Sequence, residues 1–235
     1  AQFRRQRQMC IRDRNYTEQV ILGEIIAQHI ENSSDLKVAR RFNLGGTFIC
    51  HEAIKAEEID GYVEYIGTAF TAILKRKPVN DTDLVYQEVK KFYNQEFKLE
   101  VMPSLGFENT YTLLVREETA KKYNLKTISD VTQYTPKWTA AFSYEFLARE
   151  DGYPGLSKTY NLKFSQQPNT MELGLMYRAL AEKNVDLVAG FSTDGLISTL
   201  DLYMLKDDKN YFPTYEAVPV LSLIHISEPT RPREI

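Results

Sequence analysis

Residues 59–68, IDGYVEYIGT, set two tyrosines directly before a Gly-Thr pair. The apolar and β-branched residues predict a strand at 60–65, and the Gly-Thr pair predicts the start of a helix over 68–75. A tyrosine ring attracts a cation through its quadrupole, whereas the hydroxyl and free N–H groups of a helix start attract an anion. This stretch therefore predicts a strand-to-helix turn that binds a small zwitterion.

Strands and helices alternate on both sides of this turn. Upstream, apolar residues at helical spacing predict a helix over 15–32, then a strand at 36–38 and a second helix over 47–56. Downstream, the pattern predicts a helix over 81–92 and a strand at 99–102. Such alternation is typical of parallel βαβ units, so these residues predict one α/β unit.

The alternation restarts at Tyr111 and predicts a second α/β unit. The expected strands are 111–115, 138–142, 185–191 and 215–221, and the expected helices are 117–123, 144–149 and a helix to about 183. Asn169 and Glu172 have the spacing of a capping box for that last helix. Residues 103–109 and 206–213 interrupt the pattern and predict the crossings between two lobes.

Both ends of the chain resemble a translated oligonucleotide. Residues 4–14, RRQRQMCIRDR, back-translate to a transposase-type sequencing adapter, and residues 221–231 back-translate to the opposite strand of the same adapter. We therefore predict that residues 1–14 and 221–235 are adapter-derived and not native, and we keep them out of the fold prediction. The alternative is a basic arm that binds nucleic acid or membrane.

Without those ends the chain is acidic, with 22 basic and 29 acidic residues. Nucleic-acid binding requires a basic face, so that class of function is excluded. Cys50 is then the only cysteine, which excludes an internal disulfide and leaves the compartment open. No apolar run reaches the length of a membrane span.

The sequence offers little support for catalysis. His51 and Glu52 begin a zinc-protease helix motif, but Lys55 stands where the second histidine belongs. His29 and His51 are more simply helix residues than metal ligands, and no glycine-rich phosphate loop or nucleophile elbow is present. We therefore predict no catalytic residue, no metal site and no cofactor, and we expect that the protein is not an enzyme.

Several motifs in order resemble the substrate-binding proteins of osmoprotectant ABC importers, which bind glycine betaine, carnitine or choline. The motifs are NYTEQVIL (15–22), GYVEYIGT (61–68), NTY (109–111), EFLAREDG (145–152), FSTDG (191–195) and FPTY (212–215). The resemblance implies an α/β, two-lobed periplasmic-binding-protein fold of the type II-like class. Lobe one would be residues 15–108, lobe two 109–210 and the return to lobe one 211–220, which leaves lobe one incomplete at its C-terminus.

The resemblance also implies an aromatic cage for a quaternary ammonium and a clamp for a carboxylate. The implied ligand-binding residues are Tyr65, Tyr111, Tyr215 and Phe191 for the cage and Thr68 and Arg149 for the clamp, with Gln19 and Thr193 as secondary contacts. Phe191 stands where the family has a fourth hydroxylated ring, which bears on ligand preference. Arg14 stands where the family has a lysine.

The resemblance implies a partner and a location as well. The expected partners are the small quaternary-ammonium ligand and the permease subunits of an ABC importer, outside the cytoplasm of a bacterium. Membrane association would come from an anchor missing from this sequence or from a fused permease. A different class remains open: an enzyme acting on a quaternary amine, with Glu64 as the base.

Overall fold

The computed structural model describes residues 8–14, 16–79 and 81–223, and these form two compact units. Unit 1 takes the described residues up to 73, residues 82–107 and those from 216 onward, and unit 2 takes residues 74–81 and 108–215. The chain passes between the units at 73/74, 81/82, 107/108 and 215/216. The lobe boundaries at 108 and 210 stay a prediction.

Strands and helices alternate through both units. The strands are β1 (Gln8–Arg14), β2 (Lys37–Gly45), β3 (Gly61–Tyr65), β4 (Leu99–Val101), β5 (Tyr111–Arg116), β6 (Ala140–Phe142), β7 (Asn169–Thr170), β8 (Leu187–Phe191), β9 (Leu202–Leu205) and β10 (Ala217–Ser222). The helices are α1 (Thr17–Ser33), α2 (Thr47–Lys55), α3 (Ile66–Thr68), α4 (Thr82–Phe92), α5 (Glu117–Tyr123), α6 (Ile128–Val131), α7 (Tyr144–Ala148), α8 (Tyr153–Tyr160), α9 (Leu173–Ala181) and α10 (Leu196–Thr199). Helices α3 and α4 each continue as a π-helical turn, at Ala69–Ile73 and Tyr93–Phe97.

The sheet of unit 1 has the strand order β2-β1-β3-β10-β4. Strands β1, β2 and β3 are parallel, as the alternation of strands and helices predicts, whereas β10 returns antiparallel between β3 and β4. Because parallel strands end at the same edge of a sheet, Arg14 at the end of β1 and Tyr65 at the end of β3 belong to one edge.

Strand β1 comes from the residues that resemble adapter sequence. Ile11 is buried and packs in one cluster with Ala27 of α1 and Val38 of β2. The register pairs Cys10 with Ala39 and Ile11 with Arg40. Residues 8–14 thus take the first strand position of the β1–α1–β2 unit, and their adapter origin stays a prediction.

The sheet of unit 2 has the order β7-β6-β8-β5-β9. Strands β7, β6 and β8 are parallel, and β5 lies antiparallel between β8 and β9. The core under this sheet includes Leu114, Tyr177, Leu180 and Val188, all fully buried. The antiparallel pair matters for function because it brings the first residue of β5 beside the last residue of β8.

Two predicted helix starts are wrong. The helix after β3 has Tyr65 as its N-cap and begins at Ile66, so Thr68 lies inside the first turn and is not its cap. Asn169 does not cap α9, since residues 169 and 170 form β7 beside β6 and the N-cap is Glu172 without a side-chain hydrogen bond. At Asn169 the backbone that the local pattern assigns to a helix start belongs to the sheet instead.

Other elements follow the predictions closely, and a few were not predicted. Helices α1, α2, α4, α5 and α7 agree with the expected ranges to within two residues. Helices α6, α8 and α10 and strands β7 and β9 were not predicted, and strand β2 continues to Gly45, well past the predicted end at 38. Among the described residues, no helix combines the length and the apolar character needed to cross a membrane.

Candidate functional site

Three of the predicted cage rings lie together in unit 2. Tyr111 and Phe191 are direct register partners on β5 and β8, and their rings stack with centroids 5.1 Å apart and planes 27° apart. The Tyr215 ring stands edge-on to Tyr111 at 6.0 Å and 88°. Offset stacking and edge-to-face contact are the favoured aromatic arrangements, so the three rings form one stable cluster.

Two further rings complete this cluster. Phe146 of α7 lies 4.8 Å from Tyr111, and Phe212 lies 5.9 Å from Tyr111, centroid to centroid. Neither was predicted as a site residue, although both stand inside quoted motifs, EFLAREDG and FPTY. We call Tyr111, Phe146, Phe191, Phe212 and Tyr215 the ring cluster.

Arg149 places a cation on the ring cluster. It follows α7 directly, and its guanidinium carbon lies 5.7 Å from the centroid of the Tyr111 ring. Asp151 holds the guanidinium in a fork, with Nε to Oδ1 at 2.8 Å and Nη2 to Oδ2 at 2.5 Å. A second carboxylate, Glu145, accepts from Nη1 at 3.5 Å.

Asp151 accepts hydrogen bonds from both Arg149 and Tyr215. The hydroxyl of Tyr215 donates to Asp151 Oδ2 at 3.2 Å, and all three side chains are buried. Burial alone would lower the pKa of Arg149, but Tyr111 and Asp151 outweigh burial and raise the pKa, so the group stays cationic. Asp151 was not among the predicted site residues, although it lies inside the motif EFLAREDG.

Thr193 is a predicted site residue that is not part of the ring cluster. It is solvent-exposed in the turn that follows β8. The turn itself is fixed by its neighbour Ser192, whose amide donates to the Thr110 carbonyl at 3.0 Å and whose hydroxyl accepts from the Thr110 amide at 3.1 Å.

Unit 1 repeats the arginine-over-tyrosine arrangement at the end of β3. The guanidinium carbon of Arg14 lies 5.5 Å from the Tyr65 ring centroid, and Arg14 forms an ion pair with Glu64. The Tyr65 hydroxyl donates to the carboxylate of Glu18 on α1. Burial and the charge of Glu18 raise the pKa of Tyr65, so its hydroxyl keeps the proton that it donates.

Glu64 is fully buried and holds this edge of unit 1 together. Besides Arg14, it accepts from the Tyr62 hydroxyl at 3.1 Å and from the Tyr65 amide at 2.7 Å. The Tyr62 hydroxyl therefore helps to hold the Glu64 carboxylate in place. A carboxylate with three donors in a dry site is poorly placed to remove a proton from a substrate.

Thr68 and Gln19 lie in the same unit as Tyr65. Thr68 is buried in the first turn of α3, and Gln19 is fully buried on α1. Of the predicted site residues, unit 1 therefore holds Tyr65, Thr68 and Gln19, and unit 2 holds the others. The described part of the chain contains no group of three His, Cys, Asp or Glu side chains arranged to bind a metal ion.

Comparison with known proteins gives one family and several relatives. The family model described as the substrate binding domain of the ABC-type glycine betaine transport system matches residues 11–223. The carnitine transport binding protein OpuCC of Listeria monocytogenes is 38% identical over 203 residues, which is 86% of this chain and 66% of that protein. The chain thus spans just under two thirds of this relative.

A second relative and a solved structure agree with the first. The ergothioneine transport permease/ergothioneine binding protein EgtU of Helicobacter pylori is 36% identical over 86% of this chain and 36% of its own length. A crystal structure of a glycine betaine/carnitine/choline ABC transporter matches with a TM-score of 0.74 and 32% identity, over 94% of this chain and 82% of that chain. This likeness confirms the predicted α/β, two-lobed periplasmic-binding-protein fold.

Proposed function

The chain belongs to the family of substrate-binding domains of ABC-type glycine betaine transport systems, and on that premise we propose that it captures a quaternary-ammonium compound for an ABC importer. The family is a transport family, and the resemblance found in the sequence motifs is confirmed. Glycine betaine, choline and carnitine are the proposed ligands. The observation that carries the proposal is the ring cluster with the Arg149 guanidinium against Tyr111.

The chemistry of the ring cluster suits such a ligand. A trimethylammonium group cannot donate a conventional N–H hydrogen bond, so stacked aromatic faces are its natural partners. Arg149 can bind a ligand carboxylate through a charge-assisted hydrogen bond from Nη1, because Asp151 already holds Nε and Nη2. Phe191 contributes a ring face without a hydroxyl, which suits the apolar methyl groups.

The expected interaction free energies are sufficient for binding near micromolar affinity. Desolvated cation–π contacts give roughly 0.5 to 2 kcal/mol per ring, and a charge-assisted hydrogen bond adds about 1.5 to 3 kcal/mol. Three rings and one such bond approach the roughly 8 kcal/mol of micromolar binding. In unit 1, Tyr65 and Thr68 are the proposed ligand contacts and Gln19 is a proposed secondary one, and in unit 2 Thr193 is a proposed secondary contact.

The proposed setting is extracytoplasmic, with the permease subunits of the importer as partners. In a second version of the same proposed function, the substrate-binding domain and the permease belong to one polypeptide chain. The Helicobacter pylori relative, whose name combines permease and binding protein, supports that form. The alternative of an enzyme with Glu64 as base receives no support, because Glu64 is buried against three donors.

Isothermal titration of the purified protein with glycine betaine, choline, carnitine and ergothioneine tests the proposal. We expect saturable binding of at least one trimethylammonium compound, recovered chemically unchanged. Tyr111→Ala and Tyr65→Ala should each weaken it more than roughly tenfold, which is about 1.4 kcal/mol. Tyr144→Ala is the matched control, since Tyr144 is 77% exposed.

Arg149→Ala tests the carboxylate assignment in the same experiment. We expect the variant to lose more than roughly tenfold in affinity for glycine betaine and carnitine and much less for choline, which has no carboxylate. An equal loss for all three would show that Arg149 does not bind a carboxylate. No saturable heat with any of the ligands would reject the function itself.

A further inference from the structure

Unit 2 contains a cavity of about 680 Å³ beside the ring cluster. Tyr111 and Phe212 form part of its wall, whereas Arg149, Phe191 and Tyr215 do not line it. Cavities of roughly 300 to 1,000 Å³ are the usual size of small-molecule sites. The cavity is therefore large enough for a ligand of its own, and it shares Tyr111 and Phe212 with the ring cluster.

Two lysines face this cavity from adjoining backbone segments. Lys206 follows β9, and its amide donates to the carbonyl of Lys126 at 2.9 Å. Both side chains are exposed, and within the described ranges neither lies within ion-pair distance of a carboxylate. Like charges on neighbouring strands repel each other, and a bound anion would remove that repulsion.

The carboxylate nearest in sequence to Lys206 has other partners. Asp207 lines the cavity, but its Oδ1 accepts from the Tyr160 hydroxyl and its Oδ2 accepts from the Phe212 amide at 2.9 Å. These two hydrogen bonds hold Asp207 against Tyr160 and anchor the segment that carries Phe212. Glu108, an exposed residue, is the other acidic side chain of the lining.

The rest of the lining combines apolar and polar side chains. Ile128, Leu205 and Phe212 are buried side chains that present hydrocarbon surface. Tyr203 and Asn210 add a hydroxyl and an amide. Apolar walls with a few polar groups are typical of sites for small organic ligands.

We propose that this cavity is a second binding site, for a small organic carboxylate with an apolar body. The carboxylate lies against the ammonium groups of Lys126 and Lys206, and the hydrocarbon part packs on Leu205 and Phe212. Lysine binds an anion as a point charge, so the site selects for negative charge more than for geometry. The site goes beyond the proposed transport function and does not depend on it.

Benzoate is the probe, and benzamide is its neutral isostere. Titration calorimetry with the full chain should show saturable binding of benzoate with a dissociation constant of about 1 mM, and roughly tenfold weaker binding of benzamide. The double variant Lys126→Gln/Lys206→Gln should lose roughly tenfold or more in benzoate affinity. Lys158→Gln/Lys163→Gln is the matched control, because it removes two exposed lysines of unit 2 that do not line the cavity.

Three results would overturn the proposal. They are no saturable benzoate binding up to about 10 mM, equal affinity for benzoate and benzamide, and an equal loss of affinity in the control and the cavity variant. The lysine variant separates this measurement from the quaternary-ammonium titration, because Lys126 and Lys206 line the cavity and Arg149 does not. A failure here leaves the transport proposal in place, and a failure there leaves the cavity proposal in place.

Discussion

Unit 1 and unit 2 each hold a buried arginine over a tyrosine ring, but they neutralise it in different ways. In unit 1, Arg14 pairs with Glu64, which is 50 residues away in sequence and fully buried. In unit 2, Arg149 pairs with Asp151, two residues along, and also with Glu145, which is 31% exposed. Among the described residues, the first arrangement pairs its arginine with a long-range carboxylate, and the second pairs its arginine with two local ones.

This difference decides how each unit responds to the loss of a carboxylate. A buried ion pair adds little stability in itself, but removing one partner leaves an uncompensated charge in a dry site. Removing the carboxylate should destabilise unit 1 more, because Glu64 also accepts from the Tyr62 hydroxyl and the Tyr65 amide. Unit 2 retains a carboxylate when Asp151 is removed.

The largest expected effect is that of Glu64→Gln. The variant keeps the size of the side chain and loses its charge, so Arg14 stays buried without its counter-ion. We expect a loss of about 3 to 5 kcal/mol in the free energy of unfolding, measured by urea denaturation followed by far-ultraviolet circular dichroism. Glu88→Gln, at an exposed position of α4, is the control and should change stability by less than about 0.5 kcal/mol. Similar values for both variants would mean that the Arg14–Glu64 pair is not buried as described.

The second expected effect is a pH dependence that originates in unit 1. His51 packs against the rings of Tyr93 and Phe97, and its Nδ1 has no hydrogen-bond partner among the described residues. Burial, with a smaller contribution from Lys55, lowers the pKa of His51 from 6.5 to about 4. The unfolded chain therefore binds the proton more readily than the folded one, and stability present above pH 6.5 is lost as the pH falls toward 4.

Up to about 3 kcal/mol of stability depends on His51 in this range. Denaturant melts between pH 7 and pH 4 should show that loss in the original protein and a smaller loss in His51→Phe, because other acidic groups still titrate. His29→Gln, at an exposed position of α1, should behave like the original protein. If His51→Phe keeps the full pH dependence, His51 is not the source.

The third expected effect is that of Asp151→Asn in unit 2. Arg149 keeps Glu145 as a charged partner, and the asparagine still accepts a hydrogen bond, so we expect a loss of about 2 kcal/mol, less than for Glu64→Gln. Trp138, the only tryptophan and a residue of unit 2, reports the transition by fluorescence. A loss equal to or larger than that of Glu64→Gln would show that the second carboxylate does not compensate.

The two arrangements also differ in how far the sequence predicted them. The resemblance predicted Tyr111, Phe191 and Arg149, and Asp151 lies two residues from Arg149 in the same motif. The Arg14–Glu64 pair and the Tyr65–Glu18 hydrogen bond join residues about 50 positions apart. Periodicity and local motifs carry no information about such pairs, and residues 4–14 had been kept out of the fold prediction.

The same limit applies to the secondary structure. Long periodic segments such as α1 and α4 were predicted well, because an amphipathic pattern repeats several times within them. Strand β9 has four residues and β7 has two, and both owe their conformation to a neighbouring strand. The misplaced start of α3 has a similar cause, since the Ile66 amide bonds to Glu216, a residue far along the chain.

The smallest expected effect comes from Tyr215→Phe, which removes only the hydroxyl that donates to Asp151 at 3.2 Å. The ring stays in the cluster, so a quaternary ammonium should still bind with an affinity within about threefold of the original, while stability falls by about 1 kcal/mol. Tyr65→Phe is the matching change in unit 1, because it removes the hydroxyl that donates to Glu18. Glu18 lies on α1 and is only partly buried, so water can replace the lost donor there more readily than at the buried Asp151. We therefore expect Tyr65→Phe to cost less stability than Tyr215→Phe in parallel urea melts, and the reverse order would mean that Glu18, not Asp151, is the carboxylate that depends on its tyrosine.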